Sequence, residues 1–321
     1  ELPMLLNPGA RDALLIGWGS GVTAGSMLRH PLSRLYAVEL IPAVVDASRL
    51  FSAQNGAALD DPRLSLTHED AKTFLLRPGR RYDVIVSEPS NPWMAGIGDL
   101  FSVEFYGRAR ERLAPGGVMV QWFHAYEMND ELFSMVLRTF RSSFPSVTLW
   151  NIPDNDILLV GSEQPLRPDF VAMDRAFDTR AVREDMRRVG VTRLSTLLAA
   201  QSAGEERVLA MSGSGLLNEE LRPRLEYGAT KAFFHGQAVA LADAHDERVD
   251  SLRRDGLLLT RYVRARGRPL SSEEYMDLMT FPHGAREKDI LNRLILDWKA
   301  AHPRDPTAAE TALMLKKYGK I

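Results

Sequence analysis

The chain has 321 residues, 45% of them apolar and 26% charged, with a formal charge of −2. That is the balance of an ordinary globular protein with room for two domains, and it lacks the basic excess of a surface built for nucleic acid or anionic membrane. The absence of cysteine excludes disulfides and thiolate metal sites, while no apolar run approaches the roughly 20 residues of a membrane span and no signal-peptide pattern opens the chain.

The first 160 residues alternate short apolar runs with longer amphipathic ones, the pattern of βαβ units around a mostly parallel sheet. Strands are expected over residues 13–17, 35–39, 63–67, 83–87, 117–122, 146–150 and 157–161. The helical stretches between them fall at 23–29, 42–55, 71–76, 103–113 and 130–144. Asp60-Asp61-Pro62 and Pro115-Gly116-Gly117 read as turns before strands. Residues 151–156 are short enough for a hairpin between the last two strands, so the sheet should close with an antiparallel strand. Beyond residue 165 only helical periodicity recurs, at 169–189, 193–203, 205–209, 231–266, 272–279, 287–302 and 306–319. Ser271-Ser272-Glu273-Glu274 and Asp305-Pro306-Thr307 carry helix-start chemistry. The expected organisation is a Rossmann-like nucleoside-binding catalytic domain over 1–165, followed by an all-helical region over 166–321, part of which packs on it.

Candidate chemistry gathers at the predicted strand ends. Gly17-Trp18-Gly19-Ser20-Gly21-Val22 joins the first strand to a helix. Glycine is required where the backbone turns with positive φ or where a ligand approaches without meeting a Cβ. The third glycine of the dinucleotide fingerprint would fall at Val22, so the loop suits a nucleoside better than a pyrophosphate; the alternative is a tight strand–helix turn. Glu39 ends the next strand about 20 residues on, where a carboxylate can take both ribose hydroxyls. Asp70 and Ala71 follow the third strand. The Asp70 carboxylate and the Ala71 N–H suit the edge of an adenine, and Asp70 equally suits a helix N-cap. In Val86-Ser87-Glu88-Pro89-Ser90-Asn91-Pro92-Trp93-Met94, Glu88 ends the fourth strand and Asn91 follows it. Gln121 and Trp122 end the fifth strand, with His124 and Tyr126 close behind. Gln121, Trp93 and Tyr126 are the expected lining of a substrate pocket. No His/Asp/Glu spacing suggests a metal.

Taken together, these residues resemble the spermidine synthase family of aminopropyltransferases over roughly residues 3–165. The matching stretches include Tyr82-Asp83-Val84-Ile85-Val86, Leu100-Phe101-Ser102-Val103-Glu104-Phe105-Tyr106 and Leu113-Ala114-Pro115-Gly116-Gly117. Residues 17–25 and 87–96, and a later segment at 217–227, are similar to bacterial proteins in which such a domain is fused to a membrane-spanning region. The resemblance implies an α/β fold, the Rossmann-like seven-stranded fold of S-adenosylmethionine-dependent methyltransferases. It implies S-adenosylmethionine or its decarboxylated form as the substrate bound by Gly17, Gly19, Ser20, Gly21, Glu39, Asp70 and Ala71, with no metal. Glu88 and Asn91 then fall at the catalytic positions.

Three departures qualify this. The family usually carries Asp-Ser-Ser-Asp-Pro after the fourth strand, where this chain has Glu88 and Asn91. Ser20 replaces an acidic residue of the glycine loop, and the family's N-terminal β-hairpin domain is absent. Because Asn91 cannot supply charge or act as a base, Glu88 is the single candidate carboxylate of that loop. Release of 5′-methylthioadenosine is expected, by transfer to a polyamine or by internal cyclisation of the donor's side chain. Methyl transfer and a non-catalytic nucleoside sensor are the alternatives. Expected partners are the nucleoside donor, a polyamine acceptor and another copy of the chain, but no nucleic acid. The resemblance also predicts an upstream membrane region that tethers this domain to the cytoplasmic face of the inner membrane.

Overall fold

A computed structural model describes residues 1–152, 156–250 and 256–321. Its sheet is built from β1 (Asp12–Ile16), β2 (Arg34–Glu39), β3 (Leu64–His68), β4 (Tyr82–Ser87), β5 (Leu113–His124), β6 (Ser146–Ile152), β7 (Asp156–Ser162) and β8 (Gln201–Ala203). They lie in the order β3-β2-β1-β4-β5-β7-β6-β8. The first five strands run parallel, while β7 is antiparallel to both β5 and β6. The order reverses between β1 and β4, and in open α/β sheets ligands bind outside the carboxyl ends of the strands at such a switch point. This is the Rossmann-like, methyltransferase-type fold that the resemblance implied.

The central strands are apolar on both faces because helices cover both. Leu15, Val84 and Val86 pack with the helices Leu2–Leu6 and Val22–Met27. Their neighbours Leu14, Ile16 and Ile85 join the helices Ala71–Leu76, Val103–Glu111 and Asp130–Ser143 on the other face. This is the two-residue alternation of a strand expressed as two cores. Asp70, Ser102 and Asn129 cap three of these helices with their side chains.

Several expectations are corrected. The helix Leu2–Leu6, with Pro3 in its first turn, precedes β1 and carried no expectation. Pro115-Gly116-Gly117 lies inside β5 as a bulge rather than before it: Tyr82 pairs with Leu113, and the register then jumps to Val84 with Val118. The stretch 42–55 divides into Pro42–Ala47, a 3₁₀ turn Ser48–Phe51 and Ser52–Asn55. Its serines explain the breaks, because Ser48 and Ser52 donate back to the carbonyls of Val45 and Arg49 and so compete with the helical ladder. The stretch 169–189 forms two helices, Phe170–Phe177 and Arg180–Arg187, which meet where Thr179 donates to the Ala176 carbonyl.

The later half is not wholly helical. Residues 193–203 form the helix Leu194–Leu198 and then β8, which pairs antiparallel with β6 and makes the sheet eight-stranded. The stretch 231–266 includes residues 251–255, which lie outside the described residues. Its described parts are separate pieces, Leu241–Ala244, Glu247–Val249 and Leu258–Arg266, after a helix Arg224–Phe234 that ends before Gly236 at φ 58°. The turn expected between β6 and β7 includes residues 153–155, also outside the described residues. The helix starts at Ser271 and Asp305 form as read, the first as a full capping box. Among the described residues, no helix is long and apolar enough to cross a membrane.

Candidate active site

The glycine loop lies at the carboxyl end of β1, and all three of its glycines have positive φ, 88° at Gly17, 53° at Gly19 and 77° at Gly21. Their reasons differ. A Cβ on Gly17 would lie 2.4 Å from the Glu88 carbonyl oxygen, so this glycine lets β1 and β4 close on each other. A Cβ on Gly19 would meet nothing within 4 Å, so that position leaves open space over an exposed loop tip, where a ligand can approach the backbone. The Ser20 carbonyl accepts from the Asn55 amide at 2.9 Å, which ties the loop to the following helices.

Glu39 holds the far side of the loop. Its carboxylate accepts from the Trp18 N–H and the Ile41 N–H, each at 2.9 Å. A carboxylate offers about four acceptor positions, so these two bonds fix its orientation and leave capacity for vicinal hydroxyls. Leu40 and Ile41 stand exposed beside it, an apolar platform that the sequence reading did not single out. Asp70 follows β3, whose end pairs with that of β2 through Glu39 and His68. Its Oδ1 caps the Ala71–Leu76 helix by accepting from the Thr73 N–H and hydroxyl, so the capping alternative is realised. Ala71 is buried below it. Gly17, Gly19, Ser20, Gly21, Glu39, Asp70 and Ala71 therefore share the carboxyl edge of β1–β3, with open space over Gly19.

Glu88 follows β4, and its N–H donates to the Ile16 carbonyl at 2.8 Å. Thr23, in the first turn of the Val22–Met27 helix, donates its hydroxyl to the Glu88 carboxylate at 2.8 Å. The glycine loop and the candidate catalytic carboxylate are thus one hydrogen bond apart, a link that no sequence signal announced. Burial pushes the Glu88 carboxyl above the usual carboxylate range, against the Thr23 bond, and the nearby Asp156 charge pushes the same way as burial. Glu88 opens on a cavity of about 1010 Å³. One wall comes from the sheet edge, with Trp122, Asp156 and Leu158. The other comes from the later half of the chain, with Met186, Val189, Phe281 and Pro282.

The other expected site residues are placed differently. Asn91 is half-buried in the loop after Glu88, where its carbonyl accepts from the Met94 N–H, and it is not a wall of the cavity. Trp93 and Tyr126, expected in a substrate pocket, instead pack around His124. The His124 ring lies 4.7 Å from Trp93 and is stacked on Tyr126 at 4.2 Å, and Trp93 also meets Phe233 of the Arg224–Phe234 helix. These apolar rings find more contact with each other and with that helix than with the cavity. Gln121 is fully buried beside Ser87, its partner in the β4–β5 register, and donates to the Trp122 carbonyl. The Ser87 hydroxyl, the Gln121 carbonyl and both His124 ring nitrogens are buried without a hydrogen-bond partner among the described residues. Burial drives the His124 ring down to about 4, so it is neutral at physiological pH. Trp93 and Tyr126 thus box in a neutral ring.

The segment at 217–227 pins the loop that carries Asn91. Asn218 is fully buried. Its amide donates to the carbonyls of Gly98 and Phe101 at 2.8 and 3.2 Å, and its side-chain oxygen accepts from the Leu225 N–H at 3.0 Å. Glu226 accepts from the Gly96 N–H at 2.8 Å.

A glycine loop, a carboxylate at the end of β2 and an acidic residue after β4 thus lie on one edge of a sheet of the methyltransferase type. Residues 1–154 match the family model described as the spermine/spermidine synthase domain. Over these residues the chain is spermidine-synthase-like. Similar curated proteins include the polyamine aminopropyltransferase of Mycobacterium tuberculosis, 32% identical over 152 residues, or 46% of this chain and 29% of that protein. That of Clostridium perfringens is 36% identical over 121 residues, 37% of this chain and 42% of that one. The chain thus spans less than half the length of these relatives. Among solved structures, a spermidine synthase in complex with the transition-state analogue AdoDATO matches with a TM-score of 0.44 and 19% identity, covering 73% of this chain and 72% of that one. The human methyltransferase-like protein 13 in complex with SAH gives 0.45 and 18%, covering 58% and 88%.

Proposed function

We propose that this protein is the catalytic part of an aminopropyltransferase-like enzyme. It binds S-adenosylmethionine or its decarboxylated form, breaks the bond between sulfur and the aminopropyl-side carbon, and releases 5′-methylthioadenosine. The observation that carries this is the Thr23–Glu88 hydrogen bond, which holds a half-buried carboxylate next to the glycine loop at the mouth of a large cavity. A bound donor would lay its ribose on Glu39 and its base along Leu40 and Ile41 towards Asp70. Glu88 would then face the sulfonium and the carbon beside it. An ionised carboxylate there holds the cationic chain in line and takes a proton from the attacking amine.

A second reading concerns the nucleophile. Asn91 leaves the loop after β4 with Glu88 as its one carboxylate, and this favours attack by the donor's own side chain, with the alkyl group leaving as a ring. Either route yields methylthioadenosine, whereas methyl transfer would yield adenosylhomocysteine.

The test is product analysis with both donors. Glu88→Gln keeps the shape and removes the charge, so methylthioadenosine release should fall by about 10²-fold or more, within the range of a positioned acid or base. Methylthioadenosine itself should still bind, because its ribose contact lies at Glu39. Adenosylhomocysteine as the product, or equal rates in variant and parent, would refute the assignment.

A further inference from the structure

The helix that carries Thr23 is short and begins in a glycine loop, so a contact from outside must fix the direction in which Thr23 points. We propose that Asp185, on the helix Arg180–Arg187 of the later half, is the positioning residue that aims Thr23 at Glu88. The role rests on the donor-cleaving reading above, in which Glu88 reacts in its ionised form.

The helix Val22–Met27 has six residues. Helices this short are marginal on their own, and Gly17, Gly19 and Gly21 before it all have positive φ and lend it little stiffness. Within it Thr23 and Ser26 stand three residues apart and so share a face, and both line the cavity beside Glu88. Thr23 donates to the Glu88 carboxylate at 2.8 Å. One turn further on, Ser26 donates to one oxygen of Asp185 at 2.5 Å, while the other oxygen pairs with Arg29 at 2.9 Å. Asp185 thus holds the segment at two points. Turning the helix to withdraw Thr23 from Glu88 would pull Ser26 off Asp185.

Asp185 is itself a fixed end. Val182 and Met186, on the same helix, are buried in one core with Ala24 and Met27, so the helix Arg180–Arg187 is docked by its apolar side. The Asp185 side chain is only 9% exposed. Arg188 completes the grip, bonding to Asp185 at 3.1 Å and to the Gln54 carbonyl at 2.9 Å, which ties the same segment to the helix Ser52–Asn55. Burial works against the Asp185 charge, but hydrogen bonds with Ser26 and Glu1 and the Arg29 cation hold its carboxyl below the usual range, so it stays an acceptor.

The sign of the effect separates positioning from a direct field. Glu88 feels the Thr23 hydroxyl, the amino group of Glu1 and the Asp156 carboxylate. Removing the Asp185 charge acts through space in one direction: with one anion fewer, and with Arg29 and Arg188 released, Glu88 ionises more easily. Loosening Thr23 acts the opposite way, because the ionised carboxylate loses a donor. A Glu88 that becomes harder to ionise is therefore the mark of the Thr23 route. A role confined to stability would lower the midpoint of unfolding and leave Glu88 in place.

The experiment titrates Glu88 directly in the whole chain, from the carboxyl resonances of isotope-labelled glutamate, with Glu88→Gln identifying its signal. Ser26→Ala cuts the link and leaves the Asp185 charge, so it carries the test should Asp185→Ala fold poorly. In Ser26→Ala the Glu88 carboxyl should titrate higher than in the parent by about 0.5 pH unit or more, roughly a threefold change in its ionisation constant. Asp185→Ala should raise it too, by less, since the lost charge works in the other direction. In a Thr23→Val background neither substitution should raise it further. No rise in either variant, or a rise that persists without Thr23, overturns the proposal. Turnover tests the reading beneath it separately. With decarboxylated S-adenosylmethionine as donor, the acid limb of methylthioadenosine release should move to higher pH with Glu88, and the donor KM should stay unchanged because the ribose contact lies at Glu39. A limb that ignores a risen Glu88, or no release by the parent, refutes the donor-cleaving reading and leaves the titration to decide Asp185.

Discussion

Glu88 sits between opposed influences. Burial disfavours its ionised form, while the Thr23 hydroxyl favours it. Thr23→Val keeps the shape of the side chain and removes the donor, so the Glu88 carboxyl should move further up. If activity requires the ionised form, the acid limb of the pH–rate profile shifts to higher pH in this variant, and rates above that limb stay close to the parent's. A limb that stays in place would show that Thr23 does not govern Glu88, and a shift to lower pH would reverse the assignment. Glu88 was legible in the sequence because a carboxylate directly after an apolar strand is a familiar arrangement of α/β sites. Thr23 was not, since its place opposite Glu88 depends on how β1 and β4 pair.

At the scale of elements, the loop from residue 89 to residue 101 is held from outside. Asn218 is fully buried and satisfied by Gly98, Phe101 and Leu225, and its own backbone bonds to Thr139 and Val103. Asn218→Ala strands three backbone groups, so it should cost about 2–4 kcal/mol of stability, read as a lower midpoint in urea, and should speed amide exchange around Gly96–Phe101. A midpoint within error of the parent's would show that the segment merely rests on the loop. The motif at 217–227 was visible in the sequence, but its purpose was not, because nothing in a linear pattern says which carbonyls an asparagine will serve. The strands were legible for the opposite reason. Those in the middle of the sheet are buried on both faces and read as apolar runs whatever surrounds them. The three-residue β8, Gln-Ser-Ala, has no such run and exists only because β6 offers it an edge.

For the whole molecule, the two halves share their hydrophobic cores. Met173, Phe177 and Leu198 join Leu5, Leu15 and Val84 on one face of the sheet. Val208, Met211 and Leu225 join Phe105, Phe133 and Ile85 on the other. A chain ending at residue 165 would therefore expose apolar surface on both faces. It should bind the dye ANS and unfold over a broader urea range than the full chain. Sharp unfolding without dye binding would show that the first half folds by itself. Sequence periodicity revealed the helices of the later half, but not that they straddle the sheet, because an amphipathic face does not name its partner.

The walls of the cavity come from stretches far apart in the chain, residues 22–26, 88–89, 122, 152, 156, 158, 185–200 and 281–282. That spread gives the chamber a birth order. A ribosome adds about 5–20 residues per second, so the segment carrying the glycine loop and Glu88 emerges on the order of ten seconds before Phe281 and Pro282 arrive to complete the outer wall. Until then a sulfonium laid on the loop would face open water, with no enclosed chamber to direct its reaction. On the proposed reading, the residues that would hold the donor are thus made well before the chamber in which it would react, and activity would begin only when the last part of that chamber has been translated and folded into place.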